Sequence, residues 1–410
     1  MSKLEELIKE FCPNGVEYKK LNEVCTFNRG TSITSKDANK GNIPVISGGQ
    51  KPAFYHNVSN RPANTITVAG SGAYAGYVAI WDKPIFCADS FSVDIINEEQ
   101  LNKRYLYHYL LSKQSEIFAK KQGAGIPHVH GKDIASLKIP LPALPVQREI
   151  VRILDSFTLY SAELTAELTA RRKQYEFYRD KLLHYECCNK IETIGENIEW
   201  LKTGLNPRQN FKLNEPEANC FYITGKDIFN NRVNVTEKTD KITQNTVLLI
   251  NKRANLQDNI LLFASTGTGT VGRMAVIDRY DFSWNVSETM YCIKPKGNKL
   301  LVKYLMYFLY SQTARNEFEP KISKGSVPHL KVADLLNVHI NLPPIDVQER
   351  IVKVLDNFDA ICSDLGIGLP AEIEKRQKQY EYYREKLLTF DGKYATILTE
   401  RNGTERNGQG

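Results

Sequence analysis

Between Leu141 and Tyr185 the residues Leu154, Phe157, Ser161, Leu164, Leu168, Arg171, Tyr175, Tyr178 and Leu182 fall at alternating steps of three and four. That spacing puts them in one seam along a single long helix, the pattern by which helices wind on one another. The chain writes this stretch twice. Leu141, Pro142, Val146, Gln147, Ile150, Val151, Leu154, Asp155 and Phe157 recur 201 positions later as Leu342, Pro343, Val347, Gln348, Ile351, Val352, Leu355, Asp356 and Phe358. The second seam runs through Leu355, Phe358, Cys362, Leu365, Leu369, Ile373, Arg376, Tyr380, Tyr383 and Leu387. It holds one additional step of four, a stutter that nearly preserves the phase of the stripe. Gly366, Gly368 and Pro370 predict a break there, with Pro370 in the first turn of a restarted helix. Each stripe supplies the apolar surface that the other lacks, so the two helices are expected to pack on each other as a spacer of about 58 Å. The alternative is that each packs on its own globular neighbour.

Elsewhere the period changes from helix to strand. Residues 1–11 read as one short amphipathic helix. From Cys12 to Pro140, runs such as IPVISGG, TITVAGSGAYAGYVAIW and IFCADSFSVDII alternate with Gly, Pro, Asn and Asp, as in a mostly β body. It has one clear helix, near Asn102–Lys121. Residues 190–341 repeat the plan with low identity: NTVLLI, ILLFASTGTGTVGRMAVI and ETMYCIKP read as strands, and Leu300–Phe318 as a helix. Both bodies close on related phrases, GIPHVHGKDIASLKIPLP and GSVPHLKVADLLNVHINLP. The expected organisation is therefore α+β and tandem: a first body over 1–141, a long helix over 142–189, a second body over 190–341, and a second long helix over 342–390. Residues 391–410 have no apolar period and are expected to be a disordered tail.

The net charge of +7 sharpens when divided along the chain. Seventeen basic against thirteen acidic residues leave +4 on 1–141, and twenty against fifteen leave +5 on 190–341. Residues 142–189 are neutral and 342–410 carry −2. Two basic bodies joined by neutral or acidic helices suit two patches that meet a polyanion. No run of eighteen apolar residues occurs and the N-terminus is not signal-like, so no membrane association and a cytoplasmic location are expected. Eight scattered cysteines without a CxxC pair read as reduced thiols, with Cys187 and Cys188 the only cluster.

Catalytic motifs are absent or incomplete. Gly267, Gly269 and Gly272 spell GxGxxG, but between two strand-like runs, where a Rossmann fingerprint needs a strand followed by a helix. Gly70 to Gly76 is its counterpart in the first body, and both are expected to be turns that bring backbone amides close to a phosphate or base edge. His128 and His130 have the spacing of two metal ligands, but the matching residues are His329 and Lys331, which suits phosphate or base contact better. Asn341, Pro343 and Pro344 approximate the catalytic loop of amino-methyltransferases without its aromatic residue, and Glu17 and Lys19 lack the upstream Pro-Asp of a nuclease. No P-loop, HExxH or GxSxG is present. This points to a binding protein with no metal site.

The two variable bodies, the LPxxxVQ starts of both helices, the repeated KQYExYRxKLL ends and the tandem units Ser161–Leu164 and Thr165–Leu168 together resemble the DNA-specificity subunit of type I restriction-modification systems. The resemblance covers nearly the whole chain. It implies that each body is a target recognition domain for one half of a split DNA site. It also implies that the conserved helices form an antiparallel coiled coil fixing the gap. By the same resemblance two methyltransferase subunits are expected to dock on those helices, and a translocating restriction subunit to join them. The resemblance implies S-adenosylmethionine, ATP and magnesium in those partners and no cofactor in this chain. The GIGLP insertion departs from two identical rods. A coiled-coil scaffold without DNA sequence preference is the alternative.

On this reading double-stranded DNA meets Arg29, Lys36, Lys51, Tyr55, Arg61, Tyr74, Tyr77, His128, His130 and Lys132 of the first body. In the second body the candidates are Arg208, Lys226, Lys252, Arg253, Thr266, Thr268, Arg273, Lys324, Ser326, His329 and Lys331.

Overall fold

The computed structural model describes residues 2–123, 125–184, 191–363 and 366–390. Leu365, Cys187, Cys188 and the tail 391–410 lie outside them. The chain divides into two compact units, residues 1–163 with 373–410, and residues 164–372. Each holds one β body, the start of that body's own long helix and the end of the other.

In the first unit the helix Lys3–Phe11 starts on a capping box, with Ser2 and Glu5 bonding each other's backbone N–H. Glu17–Lys20 then pairs antiparallel with Lys138–Leu141, which brings the start of the body beside its exit. Between them lies a four-stranded antiparallel sheet in the order Cys25–Arg29, Ser90–Ile95, Thr65–Ala69, Val78–Trp81. Thr65–Ala69 is buried at every residue, which explains a β-branched run without alternation. A smaller sheet orders Phe54–His56, Ile43–Ile46 and Phe86–Cys87, the last two parallel.

The second unit repeats this topology. Its main sheet orders Ile198–Thr203, Met290–Pro295, Ile260–Ala264 and Met274–Ile277, all antiparallel. Its smaller sheet orders Lys241–Ile242, Cys220–Ile223 and Trp284–Val286, again with one parallel pair.

Two expectations are corrected. The run Asn245–Ile250 is not a strand: it lies inside the helix Gln244–Ala254. Thr243 caps that helix by accepting the Thr246 N–H, and left-handed Asn255 closes it. Val247, Ile250 and Ala254 share its buried face, while Leu248 and Leu249 are exposed, so the continuous aliphatic run hid a helical stripe. The single helices expected near 102–121 and 300–318 are each two. Lys103–Ser112 is followed by Gln114–Ala119, and Val302–Tyr310 by Gln312–Phe318. Extended Ser311 ends the one and caps the next through its hydroxyl.

The first long helix runs unbroken over Leu144–Leu183, about 60 Å at about 1.5 Å per residue. The second is two helices, Ile345–Ser363 and Leu369–Leu388, with Pro370 in the first turn of the latter. The two proposed packing modes coexist. Val146, Ile150 and Leu154 are buried in the core of the first body, and Ile351 and Leu355 in that of the second. Within the first unit Phe157 stacks on Tyr383 at 5.3 Å, and Arg376 lies over Tyr160. Within the second, Tyr178 stacks on Phe358 at 5.8 Å. The beginning of each helix thus meets the end of the other, which is antiparallel pairing. Along the seam Leu154, Leu355, Tyr380 and Leu387 are buried. Leu164, Leu168, Tyr175, Leu182, Leu369 and Ile373 are half-buried.

The recurring Val-Gln of both helix starts has a physical role. Gln147, fully buried, accepts the Asn102 N–H at 2.8 Å and donates to the carbonyls of Gln100 and Pro142, both at 2.8 Å. Gln348 repeats this, accepting from Leu301 N–H at 3.0 Å and donating to Lys299 at 2.7 Å and Pro343 at 2.9 Å. Two turns on, Asp155 receives Arg104 at 2.7 Å and His108 at 2.8 Å, and Asp356 receives Lys303 at 2.9 Å and Tyr307 at 2.6 Å. The Asn341, Pro343, Pro344 segment belongs to this junction, the Asn341 carbonyl accepting the Tyr304 hydroxyl at 3.0 Å. The described cysteines are free, five of the six buried, and burial pushes the Cys25 thiol up to about 12. No helix is long and apolar enough to cross a membrane among the described residues.

Two predictions follow from these junctions. Gln147→Ala leaves the Asn102 N–H and two carbonyls without partners, a loss of about 2–4 kcal/mol from the figures for unmade buried hydrogen bonds. Peptide-resolved hydrogen exchange should show faster exchange in the first unit with the second unchanged, and Gln348→Ala should show the converse. The second concerns acid. Burial pushes the His108 ring below its ordinary value against the pull of Asp155, while its other nitrogen meets the Tyr380 hydroxyl at 3.1 Å. Burial pushes the Asp155 carboxyl up, but hydrogen bonds from Arg104 and His108 outweigh it and hold it below the usual carboxylate range. The unfolded chain therefore takes up a proton near pH about 6.5 that folded His108 refuses, so the first unit weakens as pH falls through that value. The contribution of Asp155 persists to lower pH, until its folded value is crossed. Exchange measured at pH 7.5 and 5.5 should show this acid loss, and His108→Gln should reduce it.

Candidate nucleic-acid interface

The glycine-rich segments are turns between adjacent strands of the main sheets, as expected. In the first body the Gly76 N–H bonds the Ala69 carbonyl at 2.7 Å, and Gly72 takes a positive φ of 84° that favours glycine. In the second, Gly272 N–H bonds Ala264 at 2.9 Å and Gly267 has φ 119°. The histidine-bearing loop clasps each turn. Gly72 N–H bonds the Pro127 carbonyl and Val129 N–H bonds Gly70, both at 3.0 Å. Gly267 N–H bonds Pro328 at 3.0 Å and Leu330 N–H bonds Ser265 at 2.9 Å. Backbone register therefore makes Gly72 equivalent to Gly267 and His128 to His329, although the surrounding sequence has diverged.

The side chains on this shared frame differ. In the first body Arg29, His128, His130 and Lys132 line a cleft of about 230 Å³, the two imidazoles stacked at 6.1 Å. Its wall includes Asp89, whose carboxylate accepts from the Ser71 hydroxyl. The cleft thus offers cationic donors around one fixed acceptor, a combination suited to phosphates and a base-edge amino group. In the second body Thr266, Thr268, Ser326 and His329 come together. Thr266 Oγ1 lies 2.8 Å from His329 Nδ1, and Thr268 Oγ1 is 3.5 Å from the Ser326 carbonyl. Ser265 donates its one hydroxyl proton to the Thr289 carbonyl at 2.8 Å, so in its 3.3 Å contact with Thr266 the donor is Thr266. The Thr266 hydroxyl thus orients the His329 ring through Nδ1.

The other sequence candidates are distributed as follows. Tyr74 is exposed on the first turn, with Tyr77 half-buried at its end; Lys324 and Lys331 are exposed on either side of His329. Lys36, Lys51 and Tyr55 are exposed outside the clasp, Tyr55 on a strand of the smaller sheet. Arg208, Lys226, Lys252 and Arg253 are exposed on short helices and on the last turn of Gln244–Ala254. Arg61 and Arg273 are committed within the fold. Arg61 bonds Ser92 Oγ at 2.8 Å and the carbonyls of Asn60, Asn28 and Arg29. Arg273 reaches the carbonyls of Ile228 at 3.3 Å and Gly225 at 3.5 Å. No group of three His, Cys, Asp or Glu suited to a metal occurs among the described residues. Asp89, Ile126 and Val327 belong to this face but were not sequence candidates. The aligned closing phrases, which put Ile126 and Val327 at the same place, carried the available signal.

The family described as type I restriction modification DNA specificity domain matches this chain twice, over residues 13–171 and 190–375. The specificity subunit of a type I restriction enzyme of Escherichia coli is 30% identical over 415 residues, covering 95% of this chain and 97% of that protein. A putative counterpart from Haemophilus influenzae is 31% identical over 405 residues, covering 92% and 96%. The fold is shared with the S subunit of a type I restriction-modification system from M. genitalium, at TM-score 0.58, 17% identity and coverage of 91% and 96%. A chain from a structural study of type I restriction-modification assembly gives TM-score 0.57 at 18% identity, covering 92% and 99%. With two specificity domains in tandem, on helix starts and loop clasps that repeat in three dimensions, the chain belongs to the family of type I restriction-modification DNA specificity subunits, which are non-catalytic.

Proposed function

We propose that the chain reads a bipartite DNA site, each body taking one half, with the paired long helices setting the gap. The observation that carries this is one loop frame bearing two different sets of side chains. Ser71, Asp89, His128 and His130 of the first body occupy positions taken by Thr266, Thr289, His329 and Lys331 in the second. A shared frame with unlike chemistry is what two readers of unlike sequences require. Phosphate contacts from Arg29, Lys132, Lys324 and Lys331 would position each body, and base edges in the major groove would specify it. Methyltransferase subunits dock on the long helices, and restriction subunits join that assembly. S-adenosylmethionine, ATP and magnesium are bound and used in those partners. The exposed Leu159, Tyr160, Phe177 and Tyr382 of the helices offer apolar surface for such docking.

The distinguishing test is binding to duplex DNA by the chain with its methyltransferase partner. Sequence-selective, salt-dependent binding is expected, and binding without sequence preference would favour a scaffold role instead. Methylation-aware sequencing of a genome expressing the pair should give the site directly. Deleting Thr165–Leu168 removes about 6 Å of helix. The gap should then shorten by about one or two base pairs at about 3.4 Å each, with both half-sites unchanged. His329→Ala should relax one position of the second half-site, at a cost of about 1–3 kcal/mol, and leave the first half-site intact. Thr266→Val, which frees the ring, should relax the same position less. A change in the first half-site from either variant would contradict the assignment.

A further inference from the structure

Each histidine-bearing loop has an apolar residue at its tip. Ile126 is 62% exposed and Val327 is 57% exposed, and each immediately precedes the Pro-His pair, 201 positions apart. A single exposed apolar side chain is ordinary on a protein surface. Here two bodies of divergent sequence both keep a β-branched residue in water at the equivalent position, beyond a loop neck that hydrogen bonds close. In the first body Gln122 and His128 exchange backbone hydrogen bonds at 3.0 and 2.8 Å. Gly123 takes φ +109°, and a Cβ there would lie 2.8 Å from the Ile126 carbonyl, so the loop closes tightly beneath its tip. In the second body the Ser323 N–H bonds the His329 carbonyl, and the His329 N–H bonds Ser323 Oγ, both at 3.0 Å. The β-branched side chains have few χ1 rotamers to lose when they meet a partner.

Resting on the reading of this face as the DNA interface, we propose that Ile126 and Val327 each pack against the 5-methyl group of a thymine in the major groove. Each half-site then contains a T·A pair recognised through that methyl. The thymine methyl is the one apolar feature among the groups that base pairs present in that groove. Insertion between base pairs fits less well. It requires unstacking, at a cost of a few kcal/mol per step, and Val327 is short and joined directly to proline.

The test uses the full chain with its methyltransferase partner and a duplex carrying the site found by methylation-aware sequencing, in which each thymine in turn is replaced by deoxyuridine. One replacement in each half-site should weaken binding about three- to fivefold, the worth of one methyl group removed from water. Ile126→Ala should abolish the thymine-over-uracil preference in the first half-site alone, and Val327→Ala in the second alone. Both residues are exposed, so folding is not at stake. Sequence-selective binding that is indifferent to every replacement, or a half-site without thymine, overturns this inference and leaves the bipartite reading intact. A uracil preference that survives both alanine variants also overturns it. If the variants weaken binding but uracil does not, the tips act as wedges and the inference is likewise overturned. Absence of any sequence-selective binding overturns both.

Discussion

A buried glutamine at the start of each long helix is the contact on which the rest of the molecule depends. Gln147 and Gln348 each satisfy three backbone groups, one donor and one acceptor from the segment before the body's helix and one acceptor from the proline two residues before the long helix begins. A buried amide serves here because the chain must stop, turn and begin a new helix in the core, leaving backbone groups that no regular ladder can pair. An apolar side chain would fill the space and leave those groups unbonded. With Asp155 and Asp356 added two turns later, each body is fixed to its helix in both position and rotation.

Rigidity at that junction is compatible with freedom at the opposite end of the body. The strand that leads into each glycine turn is buried at every residue, and the clasp between turn and histidine loop is made of backbone hydrogen bonds. The side chains at 71, 89, 128 and 130, or at 266, 289, 329 and 331, can therefore change without altering the frame that holds them. Divergent bodies on helix starts that repeat are the expected product of such a division.

The long helices were legible because a seam at steps of three and four over forty residues has no competing interpretation, and the break at Gly366, Gly368 and Pro370 was legible from backbone chemistry. Turns rich in glycine were also recognisable once flanked by strand-like runs. Asn245–Ile250 was misread because its exposed Leu248 and Leu249 erased the polar face by which a helix is identified. Arg61 and Arg273 looked available because a basic residue in sequence carries no sign of the carbonyls that will surround it. Asp89, Ile126 and Val327 were not candidates for the opposite reason: their place on this face depends on which loops meet, and that is set by tertiary register. The Val-Gln repeat was visible as a repeat, but its cause required the backbone of the neighbouring segment.

Hydrogen exchange of the chain with the methyltransferase subunit proposed as its partner, measured with and without a duplex carrying the proposed site, tests the account most directly. DNA should slow exchange in residues 70–77 and 122–130 of the first body and in residues 265–272 and 323–331 of the second. The amides of Asn102 and Leu301, bonded to the two glutamines, should stay equally protected in both states. Protection elsewhere on the bodies with these loops unchanged, or loosening of the glutamine-bonded amides when DNA binds, would contradict a rigid reader fixed to its helix.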